Sequence, residues 1–157
     1  MLRYPVEIRI FLTLILMFCV PRVMDARIRD AWTYQEMFDK ADLVVVAEVL
    51  STKDTDERSV LRDLKPPVNV IGIVTEFKSS LILKGSQNVK TFHLHHYRLQ
   101  SAGDELLTNG PDLVELSGQH QVFLLFLVKE RDGRFAPVTG QTDPASFSVL
   151  ELKGAAR

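Results

Sequence analysis

Three of the four histidines of this chain, His93, His95 and His96, fall within four consecutive residues, and His120 is the fourth. Imidazoles bind divalent metals and exchange protons near neutral pH, so this cluster is where chemistry would begin. They sit in KTFHLHHYRL (Lys90–Leu99), where Phe92 and Leu94 alternate with His93, His95 and Tyr97. That alternation predicts a strand. Its period of two puts His93 and His95 on one face, roughly 6.6–7 Å apart, close enough for both rings to converge on one Zn²⁺ or Cu²⁺. It sends His96 to the opposite side with Phe92 and Leu94. A catalytic zinc needs a third protein ligand and an open position for water, and His120 is the remaining imidazole.

Several readings of the cluster stay open. One is a divalent-metal site on His93, His95 and His120, hydrolytic in its strongest form. Another is an amphipathic sheet face partly covered by a loop, with His96 donating to a backbone carbonyl. A third is a pH-responsive partner surface. Phe77, Tyr97 and Arg98 are candidate partner-surface residues, able to stack or to pair with phosphate. Other schemes lack parts. Ser146 and Ser148 lie near Asp143 without a nucleophile elbow or a placed base. Asp54 and Asp56 lack the further oxygens and the glycine of a calcium loop.

The elements that must position these residues are set by the hydropathy pattern. Thr33 and Glu36 have capping-box spacing, with Tyr34, Met37, Phe38 and Ala41 recurring at helical intervals, so 33–40 is expected as a short helix. Leu43–Leu50 (LVVVAEVL) is β-branched on both faces, as in a strand buried from both sides. Charged residues and Pro66-Pro67 mark 51–67 as an exposed loop. Val68–Leu83 reads as a long strand bent near Gly72 and Ser79-Ser80, with Ile71, Ile73, Thr75 and Phe77 on one face. After the strand holding the histidines, 100–118 is expected as a second exposed loop. Gln121–Lys129 (QVFLLFLVK) reads as a central strand, paired through the Asp132-Gly133 turn with Arg134–Thr139, where Pro137 marks an edge or a break.

Length and composition frame these elements. The chain has 157 residues, 46% apolar and 25% charged, with a formal net charge of -1. That suits a single domain and offers no cationic excess for nucleic acid, so no nucleic-acid partner is expected. Arg3 and Arg9 lead into the apolar run Ile10–Val20, closed by Pro21 and Arg22, which is the pattern of a signal peptide. The run is far shorter than the roughly 20 residues a membrane-spanning helix needs. Residues 1–26 are therefore expected as a signal peptide cleaved after Ala26, making the protein secreted or periplasmic, with no stable membrane span. An uncleaved amino-terminal anchor is the alternative. Cys19 is the only cysteine, and cleavage would leave a domain with no disulfide, thiolate metal site or cysteine nucleophile. The fold class expected is all-β: a small, OB-like, five-stranded barrel with one short N-terminal helix, spanning 27–157.

The segments Ala41–Leu50 (ADLVVVAEVL), Leu81–Gly85 (LILKG) and Val122–Phe135 (VFLLFLVKERDGRF), in that order, resemble the netrin-type OB-fold family, which includes the N-terminal domain of tissue inhibitors of metalloproteinases. The resemblance covers roughly residues 41–139 and implies a barrel with a secreted binding role. The inhibitors of that family present an amino-terminal cysteine to the target's zinc, and family members carry cysteines framing the domain. This chain has neither, so that mechanism has no residue here onto which it carries over. The expected function is an exported, non-enzymatic binding module for a protein or cell-envelope component, without cofactor. The alternatives are a Zn- or Cu-binding protein on the histidine face and a protease-inhibitor-like module.

Overall fold

Thr33 opens the chain's one described helix, α1 (Tyr34–Lys40), and both halves of the expected capping box form. The Thr33 side chain accepts from the Glu36 amide, while the Glu36 carboxylate accepts from the Thr33 amide at 2.8 Å. The computed structural model describes residues 32–62, 67–100, 112–114, 116, 118, 120–143 and 148–154. The expected signal segment, residues 1–26, lies outside them. No described helix is long and apolar enough to cross a membrane.

The described residues form eight strands after this helix: β1 (Leu43–Leu61), β2 (Val68–Lys84), β3 (Thr91–Leu99), β4 (Asp112–Leu113), β5 (Val122–Lys129), β6 (Phe135–Pro137), β7 (Thr142–Asp143) and β8 (Val149–Glu151). The protein is mostly β, as expected. β1 pairs with β2, β2 with β3, β3 with β6, β6 with β5, and β5 back with β1, so five strands close into a ring. All these pairings are antiparallel except β3–β6, which consists of the single parallel match Leu94↔Phe135. That seam is the ring's thinnest join. β8 continues along β5 from Phe123 to Leu125, and β4 pairs separately with β7.

The double-sided apolar character of β1 and β5 has a simple cause. Leu43, Val45, Ala47 and Val49 alternate into the ring and meet Leu125, Leu127, Leu94 and Phe77. Val44 and its cross-strand partner Phe126 point the other way, where Met37 of α1, Ala41 at its C-cap, Val138 and Trp32 cover them. Burying Met37 completely stabilises this contact by about 2 kcal/mol. Inside the ring Phe77 stacks on Phe92 at 5.4 Å and meets Phe123 edge-on at 6.1 Å. Phe77, expected on a partner surface, is therefore fully buried: its alternation with Thr75 and Ile73 aims it at the core.

The expected loop 51–67 also differs. β1 continues through Leu61, and its second half pairs with Val68–Val74. Its charged residues hid the strand because exposure alternates through polar rather than apolar positions. The pairing carries a large bulge, where Thr55, Asp56 and Glu57 together face the single residue Gly72. A Cβ on Gly72 would lie 2.7 Å from Thr55 Oγ1 and 2.9 Å from Glu57 Cβ, so the missing side chain makes room for the bulge. In the second expected loop, 100–118, residues 101–111 lie outside the described set, and Asp112–Leu113 forms β4. The Asp132-Gly133 turn forms as expected, with Gly133 at φ +92° and Pro137 ending β6.

Candidate functional site

Alternation along β3 divides the histidines as expected, but both His95 and His96 are buried, at 5% and 1% exposure. His96 faces the ring interior. Its Nδ1 lies 3.0 Å from the Val114 carbonyl, which can only accept, so Nδ1 carries the proton and donates. Nε2 of the neutral ring then accepts from Thr75 Oγ1 at 2.8 Å, and Thr75 in turn takes the Thr52 hydroxyl at 3.0 Å. Burial pushes the His96 pKa down to about 4, against the opposing pull of the Val114 hydrogen bond. His96 is a neutral member of the core. The carbonyl acceptor expected for it is Val114.

His95 faces outward into a charged nest. Its Nδ1 lies 3.0 Å from each oxygen of Glu130, at the end of β5. Its Nε2 is 3.2 Å from Glu57 Oε2 on the β1 bulge, a close approach whose angle falls short of a hydrogen bond. The Tyr97 hydroxyl donates to Glu57 Oε1, and the Tyr97 ring meets His95 edge-on at 5.0 Å. Burial first, then the Glu57 hydrogen bond, raise the Tyr97 pKa to about 12, so the phenol keeps its proton and remains a donor. Arg134 closes the nest while its Nε donates to Asp132 Oδ2 at 2.6 Å; Nε is 3.6 Å from Glu130 Oε2 and Nη2 3.9 Å from Glu57 Oε2. Gln141 Nε2 donates to the His95 carbonyl at 3.0 Å.

The location of this nest explains its composition. Glu57 comes from β1, His95 and Tyr97 from β3, and Glu130 and Arg134 from the two sides of the β5–β6 turn. Together they straddle the seam where β3 meets β6 through one residue pair. The turn brings Glu130 and Arg134 together through the Glu130 amide to the Arg134 carbonyl, 2.8 Å, and the Gly133 amide to the Glu130 carbonyl, 3.1 Å. The bulge delivers Glu57: the Thr55 hydroxyl donates to the Gly72 carbonyl at 3.0 Å and accepts from the Glu57 amide at 3.2 Å. The nest acts as a clasp, joining by side chains what the backbone joins weakly.

The other expected residues lie apart. His93 is exposed, opposite Glu76 of β2. His120 is largely exposed, with a φ of 65° and Nδ1 2.6 Å from Glu48 Oε1. Among the described residues no group of three or more His, Cys, Asp or Glu side chains could hold a metal ion. At His95 the space a cation would take is bordered by the Arg134 guanidinium, which repels it. Arg98 is exposed and forms a fork-like pair with Asp54, which holds the Asp54 carboxyl below its usual range. Asp143 lies in β7, whereas Ser146 is outside the described residues and Ser148 is buried, with its Oγ 2.8 Å from Thr139 Oγ1. Glu57, Glu130, Arg134 and Gln141 carried no motif. The one sequence signal was the placement of Glu130 and Arg134 around a recognised turn. No family model and no curated protein matches this chain.

Proposed function

We propose that this chain is an exported, non-enzymatic binding module, built as a small OB-like β-barrel, that engages a protein or cell-envelope component. The observation that carries this reading is the closure of the His95 nest. A general acid or base must come within hydrogen-bond reach of a substrate proton. His95 is 5% exposed and walled by Glu57, Glu130, Tyr97 and Arg134, with Tyr97 bonded to Glu57, Glu130 to His95, and Arg134 to Asp132. Its side chain is engaged in holding the fold, which favours a reading in which the described surface does the binding.

Support for the barrel comes from the ring order β1-β2-β3-β6-β5-β1, the connectivity of a five-stranded Greek-key barrel whose last two strands are exchanged. The resemblance of residues 41–139 to netrin-type domains is a second support for the barrel reading. Support for export is the charged lead and apolar run of residues 3–22.

Untagged full-length protein, produced in an exporting host, tests the reading in one preparation. Amino-terminal sequencing of the exported fraction is expected to begin at Arg27, elemental analysis to find no stoichiometric metal, and a cross-linker to join the protein to a secreted or envelope component at a fixed ratio. Stoichiometric zinc or copper, lost on replacing His93 and His95 with Ala, would overturn it in favour of a metal protein. Recovery of intact Met1 in the soluble cytoplasm would remove export.

A further inference from the structure

Outside the clasp, the end of β2 is paired on one side only among the described residues. β3 stops pairing with β2 at Lys78↔Thr91, beyond which there is one bond from the Ser79 amide to the Lys90 carbonyl, 2.9 Å. β2 runs on to Lys84, held only by β1 on its other side among the described residues. Alternate backbone donors and acceptors along Ser80–Lys84 thus face outward, on a stretch that bulges against β1 at Ser80 and Leu83, and such unpaired groups can pair with an incoming strand. Leu81 and Leu83, two residues apart on one face, are 56% and 49% exposed. A concavity of about 450 Å³ adjoins this edge, lined by residues of β2 and of the β2–β3 connection, including Val89 and Lys90. The Ser79 hydroxyl in its wall is buried without a hydrogen-bond partner.

The charges choose the occupant. Lys78 and Lys90 line the concavity and no Asp or Glu does. Lys84, at the end of the edge, is already occupied, donating to the Phe38 and Asp39 carbonyls at the end of α1. Two copies joined edge to edge would bring like charges together, which disfavours a symmetric dimer. We infer that the open β2 edge, Ser80–Lys84 with its Lys78/Lys90 groove, receives an extended partner segment in which apolar and acidic side chains alternate. The apolar residues continue the Leu81/Leu83 face, the acidic ones meet the two lysines, and the partner backbone supplies the missing ladder bonds. This inference rests on the binding-module reading and names the partner chemistry of that module.

The test uses the exported protein and two labelled heptapeptides, one alternating Glu with Val and one alternating Lys with Val. The wild type is expected to bind the Glu–Val peptide saturably, with amide shift changes concentrated at Ser80–Lys84 and Lys90. Lys78→Glu with Lys90→Glu should weaken that peptide at least tenfold and create binding of the Lys–Val peptide. Both substitutions lie at exposed positions, and an unchanged thermal midpoint certifies the fold. Absence of saturable Glu–Val binding, shift changes elsewhere, or equal binding by the charge-reversed protein overturns the inference. A wild-type dimer in sedimentation that the double variant abolishes also overturns it, in favour of a second copy. None of these failures alters the amino-terminal and metal results that test the module itself.

Discussion

His95 and His96 are chemically identical neighbours, and the pleat of β3 turns them into opposite devices. His96 enters a dry interior, where one donor and one acceptor meet the two nitrogens of a neutral ring. His95 enters a ring of charges, where both nitrogens face carboxylates. Burial alone therefore does not specify a histidine's role. The partners on its own face do, and a step of one residue exchanges one set for the other.

The contrast is open to attack, starting with its largest consequence. His96→Ala leaves a cavity, removes the Val114 carbonyl's donor and one of the two partners of the Thr75 hydroxyl, and is expected to lower unfolding free energy by about 4 kcal/mol in urea titration. A loss under about 1 kcal/mol would mean that the interior face is no core at all. Next comes pH. The folded His96 pKa of about 4 lies below its ordinary 6.5, so between these values the unfolded chain binds the additional proton. Stability therefore rises with pH across that window, by about 3 kcal/mol, and levels off above it. Comparing wild type with His96→Leu from about pH 4 to 7.5 isolates this slope, which the variant should lack.

On the outer face the effects shrink. Gly72→Ala forces a Cβ against Thr55 and Glu57, and should cost about 2 kcal/mol while moving Glu57 away from His95. Loss of the His95–Glu57 contact in a crystal structure or by side-chain NMR would sharpen the link between bulge and nest. His95→Ala should cost about 1–2 kcal/mol, because Glu57 and Glu130 are partly exposed and rehydrate. An effect matching His96→Ala would erase the distinction between the two faces. Arg98→Ala, which removes an exposed pair with Asp54, should leave the denaturation midpoint unchanged.

Legibility tracked the kind of signal each region carries. The α1 cap, the alternation of β3 and the turn at Asp132-Gly133 are local patterns, and each was readable because its cause lies within a few residues. β1 beyond Leu50 was not, since Asp54, Asp56, Glu57 and Arg58 match the composition of a loop. Their strand exists because β2 offers a pairing edge and Gly72 leaves room for the bulge. The nest was half legible. His95 and Tyr97 stood out as a strand face, but Glu57, Glu130 and Arg134 meet them only through ring closure, across separations that no spacing rule spans.

By itself the chain order of residues determined a mostly β domain, one capped helix, a strand that divides its histidines between two faces, and a late hairpin. These are consequences of short-range sterics and of which side chains avoid water. Tertiary structure alone decided that the histidine face would be closed by carboxylates rather than left open, and that Phe77 would be core. It also decided that the end of β2 would be paired on one side only among the described residues. Those outcomes depend on strand register and on a ring joined through one parallel residue pair, and register is settled by contacts between segments distant in the chain.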